Sequence, residues 1–414
     1  MVSNAQSHFL PERAFVMPKN VSAPTQEADA KLKLSALIGL IALVAMTMSQ
    51  GATSPALATF AKVWPASAGN IALINTLPSL LFIPASLLSG RLADKGYLSY
   101  RSLALIGVLI TALGGAAPVL GNSFTLVLIC RAIYGFGMGL FSPICNAMIL
   151  LLIPGDRARH YMSITTAASN LVGILLQILG GMLSNIHWKL SFALYLLGVP
   201  CFLIMLFCLP NVPRGRVLEK TEIKKEPMGK KVYFWAMLQF GFSASFFILT
   251  NCVAMIITGN QYGTSADVGY VMATFTVGGF FGAMSSNKIF RKLHSFTLPL
   301  SALVAASGFL LIIFGQNLPL MYAGSLVFGL GFGCWNPTLQ ATGGRSVPPN
   351  DTATAISLIT CFGNFGSFLS IYITKFFGRF FQPWDRLDMC IGCAIFLLLF
   401  FITLGCTFSR RKEN

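Results

Sequence analysis

One arginine stands alone in an apolar run. Residues 124–152 contain no other Asp, Glu, Lys or Arg than Arg131. A guanidinium stays charged at any physiological pH, so in a low-dielectric setting it must either hold an anion or be tied to backbone carbonyls. Both readings stay open: an anchor for an anionic solute, or a bracket between helices. The remaining polar groups of the apolar stretches are neutral. Gln50, Asn146, Asn170, Gln239, Asn336, Gln340 and Asn364 are amides that can donate and accept at once, and they are the candidate solute contacts. The competing reading is that they bond one helix to the next.

All 13 acidic residues and all four histidines lie in tails, loops or segment ends, so no proton relay is expected inside the apolar stretches. No phosphate loop of the G-x-x-x-x-G-K-[ST] type and no hydrolytic triad is present, which makes an enzyme the weakest class. No cofactor or metal is expected. Cys390 and Cys393 form a C-x-x-C without a nearby histidine and are read as packing residues.

The elements that position these groups follow from composition. Of 414 residues, 55% are hydrophobic and 10% charged, a balance that predicts an all-α membrane protein. Uncharged stretches long enough to cross a bilayer, divided at turn signals, predict twelve helices. They run over 33–62, 62–91, 101–120, 124–152, 161–183, 189–210, 232–257, 267–287, 296–315, 319–343, 352–377 and 388–408. Residues 1–32 read as a disordered cytosolic tail, 33–210 and 232–409 as two six-helix bundles, 211–231 as a basic linker and 410–414 as a second tail. Lys and Arg fix the expected orientation: 23 of the 29 fall on the side of the two tails, which places both termini in the cytosol of a cell membrane. Most of the net charge of +16 lies on that side, where 23 basic and 10 acidic residues face anionic lipid, and no folded basic domain speaks for nucleic acid.

The two bundles are copies of one unit. At an offset of 194 residues, Gly135, Gly137, Gly139 and Pro143 meet Gly329, Gly331, Gly333 and Pro337, and further on Asn170 meets Asn364. Glycines spaced by two weaken a helix in water, whereas in a bilayer they let helix backbones approach closely. The duplicated pair Asn170 and Asn364 is expected near mid-membrane.

The most specific local string is Gly90-Arg91-Leu92-Ala93-Asp94-Lys95, in the loop after the second helix. It resembles the G-x-L-a-D-[RK] signature of the major facilitator superfamily. Arg131, Gly135 and Gly137 are similar to that family's R-x-x-q-G-x-g motif in the fourth helix. Trp188-Lys189-x-x-Phe192 resembles the W-R-x-x-F of many bacterial solute and drug carriers. The resemblance implies two pseudo-symmetric six-helix bundles and secondary transport of a small organic solute by alternating access. Gly90, Arg91, Asp94 and Lys95 would latch the inner gate, with Gly90 admitting a close neighbour. The solute is expected to be an organic anion held by Arg131 or a neutral metabolite, with Gln50 and Arg131 sharing one cavity. A functional monomer is expected, and whether a coupling ion takes part in the cycle stays open. A multidrug efflux antiporter and, more remotely, a sensor or channel on the same fold are the alternatives.

Overall fold

The computed structural model describes residues 28–94, 96–152, 156–211, 230–293, 296–344, 346–347, 352–380 and 386–413. Among the described residues the chain is entirely helical and turn, with no strand. Twelve helices among the described residues are long and apolar enough to cross a membrane. Spans 1 to 6 are Leu34–Val63, Pro65–Ala93, Tyr100–Leu120, Phe124–Ile149, Ile164–Ile186 and Trp188–Cys208. Spans 7 to 12 are Lys231–Gly259, Ser265–Ser286, Thr297–Phe314, Leu318–Gly344, Thr354–Phe377 and Leu387–Phe408. Each begins and ends within about three residues of its sequence-predicted counterpart. Most of the expected N-terminal tail and linker lies outside the described residues. An even number of spans puts both ends of the bundle's chain on one side, termed here the terminal side; the opposite side is the far side.

The glycine spacing explains the internal build of each half. In span 4, a side chain at Gly135 would meet the Pro78 carbonyl of span 2 at 2.3 Å, and one at Gly139 the Phe82 carbonyl at 2.5 Å. The intervening Gly137 turns instead to span 3, 2.5 Å from Thr111 Oγ1. The second half repeats this arrangement. Gly329 and Gly333 of span 10 face Phe275 and Gly279 of span 8 at 2.2 and 2.0 Å, while Gly331 faces Ala305 of span 9 at 2.6 Å. Hence spans 4 and 10 are wedged between two neighbours each, at backbone contact distance. Without water in the bilayer to compete, the helix hydrogen bonds hold and the missing side chains become contact area.

The halves meet along spans 2 and 11, spans 5 and 8, and spans 1 and 7. Towards the far side the join is tight. Thr59 Oγ1 and Ser265 Oγ are 2.9 Å apart, Lys375 Nζ donates to Asn70 Oδ1 at 2.6 Å, and a side chain at Gly181 would strike the Ser265 carbonyl at 2.3 Å.

Span 1 departs from the expected single helix. After an α-helix over Ala28–Ala45, the backbone tightens into 3-10 turns over Met46–Ala52 and Ser54–Ala56 and resumes as α over Leu57–Val63. Pro55 cannot donate to the preceding turn, and the Ala52 carbonyl is 2.0 Å from the position a side chain on Gly180 would take. The irregular stretch carries Gln50, Thr53 and Ser54. A mid-helix 3-10 segment of this kind often marks a functional hinge.

Candidate functional site

A cavity of about 410 Å³ lies between the two halves, running from mid-membrane toward the terminal side. Its two walls differ in chemistry. The first half supplies Gln50, Asn170 and Gln177 together with Thr47, Ser54 and Thr166. The second half supplies Phe246, Phe247, Phe275 and Phe332, with Thr250, Thr276 and Asn336 among them. Phe246 stacks on Phe275 with centroids 5.2 Å apart and lies 4.7 Å from Phe332, so the rings form one continuous face. Among the described residues, no charged side chain lines this cavity. A flat apolar face opposed by amide edges suits a neutral solute with a ring and a hydrogen-bonding rim.

Protein contacts hold Gln50, Gln177 and Asn336 on the cavity wall. Gln50 Nε2 donates to the Asn75 carbonyl at 2.7 Å, and Gln177 Oε1 accepts from Thr276 Oγ1 at 3.0 Å across the halves. Asn336 Oδ1 accepts from Gln239 Nε2 at 3.1 Å, and the same nitrogen reaches Ser243 Oγ at 3.3 Å. Gln239 is therefore a buried support behind Asn336, and its own Oε1 has no partner among the described residues. Asn364 donates to the Thr360 carbonyl of its own helix at 3.0 Å and does not reach the cavity wall. Gln340 is half-buried near the terminal end of span 10, also off the wall. The side chain of Asn146 lies outside the described residues.

Arg131 is elsewhere. It is fully buried within the first half, where Nε donates to the Ile74 carbonyl at 2.8 Å and Nη1 to the Tyr195 hydroxyl at 2.9 Å. The guanidinium carbon lies 4.2 Å from the centroid of the Tyr134 ring and 5.3 Å from that of Tyr195. Ring faces and oriented dipoles replace water around this charge. The expectation that Gln50 and Arg131 share a cavity is thus corrected: Gln50 is on the wall and Arg131 is not. Position along a helix does not fix which way a side chain points.

The loop motif is only partly described. Arg91 is exposed at the end of span 2, Gly96 closes that helix in the left-handed region at φ 69°, and the side chains of Asp94 and Lys95 lie outside the described residues. At Gly90, no described atom beyond its own helix turn comes within 4 Å of the position a side chain would take. Its neighbour Ser89 is buried and donates through Oγ to the Leu140 carbonyl of span 4 at 2.6 Å.

Comparison with known proteins places the fold. The profile of the Major Facilitator Superfamily matches residues 39–371. The chain belongs to this superfamily. Among curated relatives, the purine ribonucleoside efflux pump NepI of Salmonella paratyphi A is 26% identical over 248 residues, 58% of this chain and 60% of the relative. NepI of Salmonella typhimurium matches to the same extent. The chain therefore spans less than two thirds of the length of these relatives. In three dimensions it is similar to the nucleoside transporter NupG, with a TM-score of 0.72 at 14% identity over 90% of this chain and 98% of that one. A bacterial homologue of the human lysosomal transporter Spinster, in an inward-facing and occupied conformation, gives a TM-score of 0.66 at 15% identity over 92% and 98% of the two chains. At these identities the structural likeness shows the superfamily fold: twelve helices in two pseudo-symmetric bundles of six.

Several groups that the superfamily fold brings together were not among the candidates, although Gln177 and Thr276 are neutral polar residues inside spans. Gln177, Thr276 and the phenylalanines form cavity wall, while Asn75 and Tyr195 stand behind it. Gln177 and Asn75 carry the same signal as the amides singled out, a neutral donor and acceptor inside a span. The phenylalanines gave none, because 35 of them are spread through the chain.

Proposed function

We propose that this protein is a secondary transporter for a small neutral solute bearing a flat ring and a polar edge, of the purine nucleoside class, moved by alternating access. The observation that carries this reading is the uncharged cavity between the halves, with three phenylalanine faces in mutual contact on one side and three amides on the other. The relatives NepI and NupG, named for nucleosides, support the class. Of the two solute types expected from the sequence, the neutral one gains from the position of Arg131. A carboxylate in this cavity would meet no cationic side chain, and leaving water uncompensated costs several kcal/mol.

The excess of Lys and Arg on the terminal side supports cytosolic termini in a cell membrane. The state described is then closed toward the outside, with its cavity directed to the cytosol. We take 33–210 and 232–409 as the two moving bodies, acting within one monomer, with Arg91, Asp94 and Lys95 latching the inner side in the opposite state. The test is flux in proteoliposomes with purine nucleosides, organic anions and a quaternary ammonium dye. Saturable flux of nucleosides alone is expected. Saturable flux of the anions or the dye without competition by nucleosides would overturn the reading.

A further inference from the structure

The buried charge of Arg131 finds a use in the contacts around Asn75. Asn75 is 1% exposed and sits where the two halves meet, with Nδ2 donating to Asn251 Oδ1 of span 7 at 3.4 Å. This contact lies between two cavities. Thr250, one residue before Asn251, lines the central cavity, while Asn251 and Cys252 line a second cavity of about 290 Å³ toward the far side. Asn75 Nδ2 also reaches Ser54 Oγ at 3.2 Å, so the amide joins spans 1, 2 and 7 at one point. Asn75 and Asn251 thus stand between the central cavity and the second one.

Arg131 holds this amide from two directions. Through Nε it fixes the carbonyl of Ile74, the residue before Asn75. Through Nη1 it fixes Tyr195, whose hydroxyl is 3.2 Å from Thr53 Oγ1, and Thr53 in turn donates to Asn75 Oδ1 at 3.3 Å. A guanidinium suits this place because its planar fork donates in two set directions, and charge-assisted bonds are roughly twice as strong as neutral ones. The bonds inside the first half hold Asn75 in a fixed pose, and the single long bond across the halves is the one free to open.

We infer that Arg131 is a positioning residue for the far-side gate: it presets Asn75, through Ile74 and through Tyr195 and Thr53, to close against Asn251. The inference rests on the alternating-access reading above. It assigns the arginine to the conformational cycle and takes it out of solute binding.

The test uses the full chain carrying Thr250→Cys, a small change on the central wall, labelled with a membrane-impermeant maleimide and read by peptide mass spectrometry so that the native thiols remain. Reagent is applied to intact cells and, separately, to inside-out vesicles. Tyr195→Phe keeps the ring and removes the hydroxyl on which the relay turns. It is expected to raise labelling from the outside by roughly threefold to tenfold, the population shift that follows the loss of one buried hydrogen bond, with no rise from the inside. Asn251→Ala should do the same, and Arg131→Lys, which can keep only one of the two directed bonds, should fall between wild type and Tyr195→Phe. Solute affinity should stay within about twofold of wild type while turnover falls. Unchanged outside labelling in Tyr195→Phe would overturn the inference, as would an equal rise from both sides with a lower melting temperature, which marks a structural role alone. Labelling reads the gate without any solute, so an error in the assigned substrate would leave this result intact.

Discussion

Gln177 and Thr276 face each other across the two halves, with Thr276 Oγ1 donating to Gln177 Oε1 at 3.0 Å on the wall of the central cavity. The same turn of span 5 presents the Gln177 carbonyl to Gly269 of span 8, 2.6 Å from where a side chain on that glycine would lie. One residue thus serves the cavity with its side chain and the crossing of spans 5 and 8 with its backbone. Thr276→Val keeps the shape and leaves the amide oxygen unpaired. A loss of solute affinity of roughly fivefold is expected from equilibrium binding, the size of one net hydrogen bond, with the melting temperature little changed.

The repeat makes Asn170 and Asn364 equivalent, and the tertiary structure separates them. Asn170 is on the cavity wall, whereas Asn364 bonds to its own helix. Asn170→Ala should weaken solute binding by roughly threefold to tenfold, and Asn364→Ala should bind as wild type does. Isothermal titration of both variants checks the split. Equal losses in the two would restore the symmetric reading.

Gln239 contributes to binding only through Asn336. Replacing it with methionine conserves volume and removes a buried oxygen that has no partner, so stability should hold or rise slightly. Asn336 then loses its support, and affinity should drop by less than in Asn336→Ala. Thermal melts and solute titrations on the two variants side by side decide this; an affinity loss in Gln239→Met exceeding that of Asn336→Ala would count against it.

Two glycine contacts of similar closeness should fail in different ways. Gly333→Ala forces apart spans 10 and 8 within one half, where the Gly279 carbonyl is 2.0 Å from the new atom, and overpacking there is expected to destabilise by about 1–3 kcal/mol. Gly181→Ala acts between the halves, against the Ser265 carbonyl at 2.3 Å. Its strain is relieved when the far side opens, so it should shift the conformational equilibrium, seen as greater outside labelling, with a smaller change in melting temperature. Gly90→Ala, with open space around it, should be silent in both measurements.

Asp94 tests the loop motif. As an acceptor at a helix junction it is expected to stabilise the state closed on the terminal side. Asp94→Asn should lower turnover in proteoliposomes and leave solute affinity and membrane insertion near wild type. Transport at the wild-type rate would remove the latch from the account.

The sequence by itself determined the class, the number of spans and the duplication. These rest on properties that each segment carries alone: enough uncharged length to cross a bilayer, and glycines whose spacing recurs at 194 residues. It also named Gln50, Asn170 and Asn336, because an amide inside a span is expensive unless something bonds to it. What it left undecided was direction. Arg131 and Gln50 lie at similar depth along their helices, yet only the packing of spans 2, 4 and 6 turns the arginine inward to Ile74 and Tyr195 and leaves Gln50 on the wall. The phenylalanine face is likewise a product of assembly, since Phe246, Phe275 and Phe332 come from three spans and meet only when spans 7, 8 and 10 pack together. Depth follows from counting residues along one helix, whereas the facing of a side chain depends on rotation against its neighbours, and that is set only when all the helices are in place.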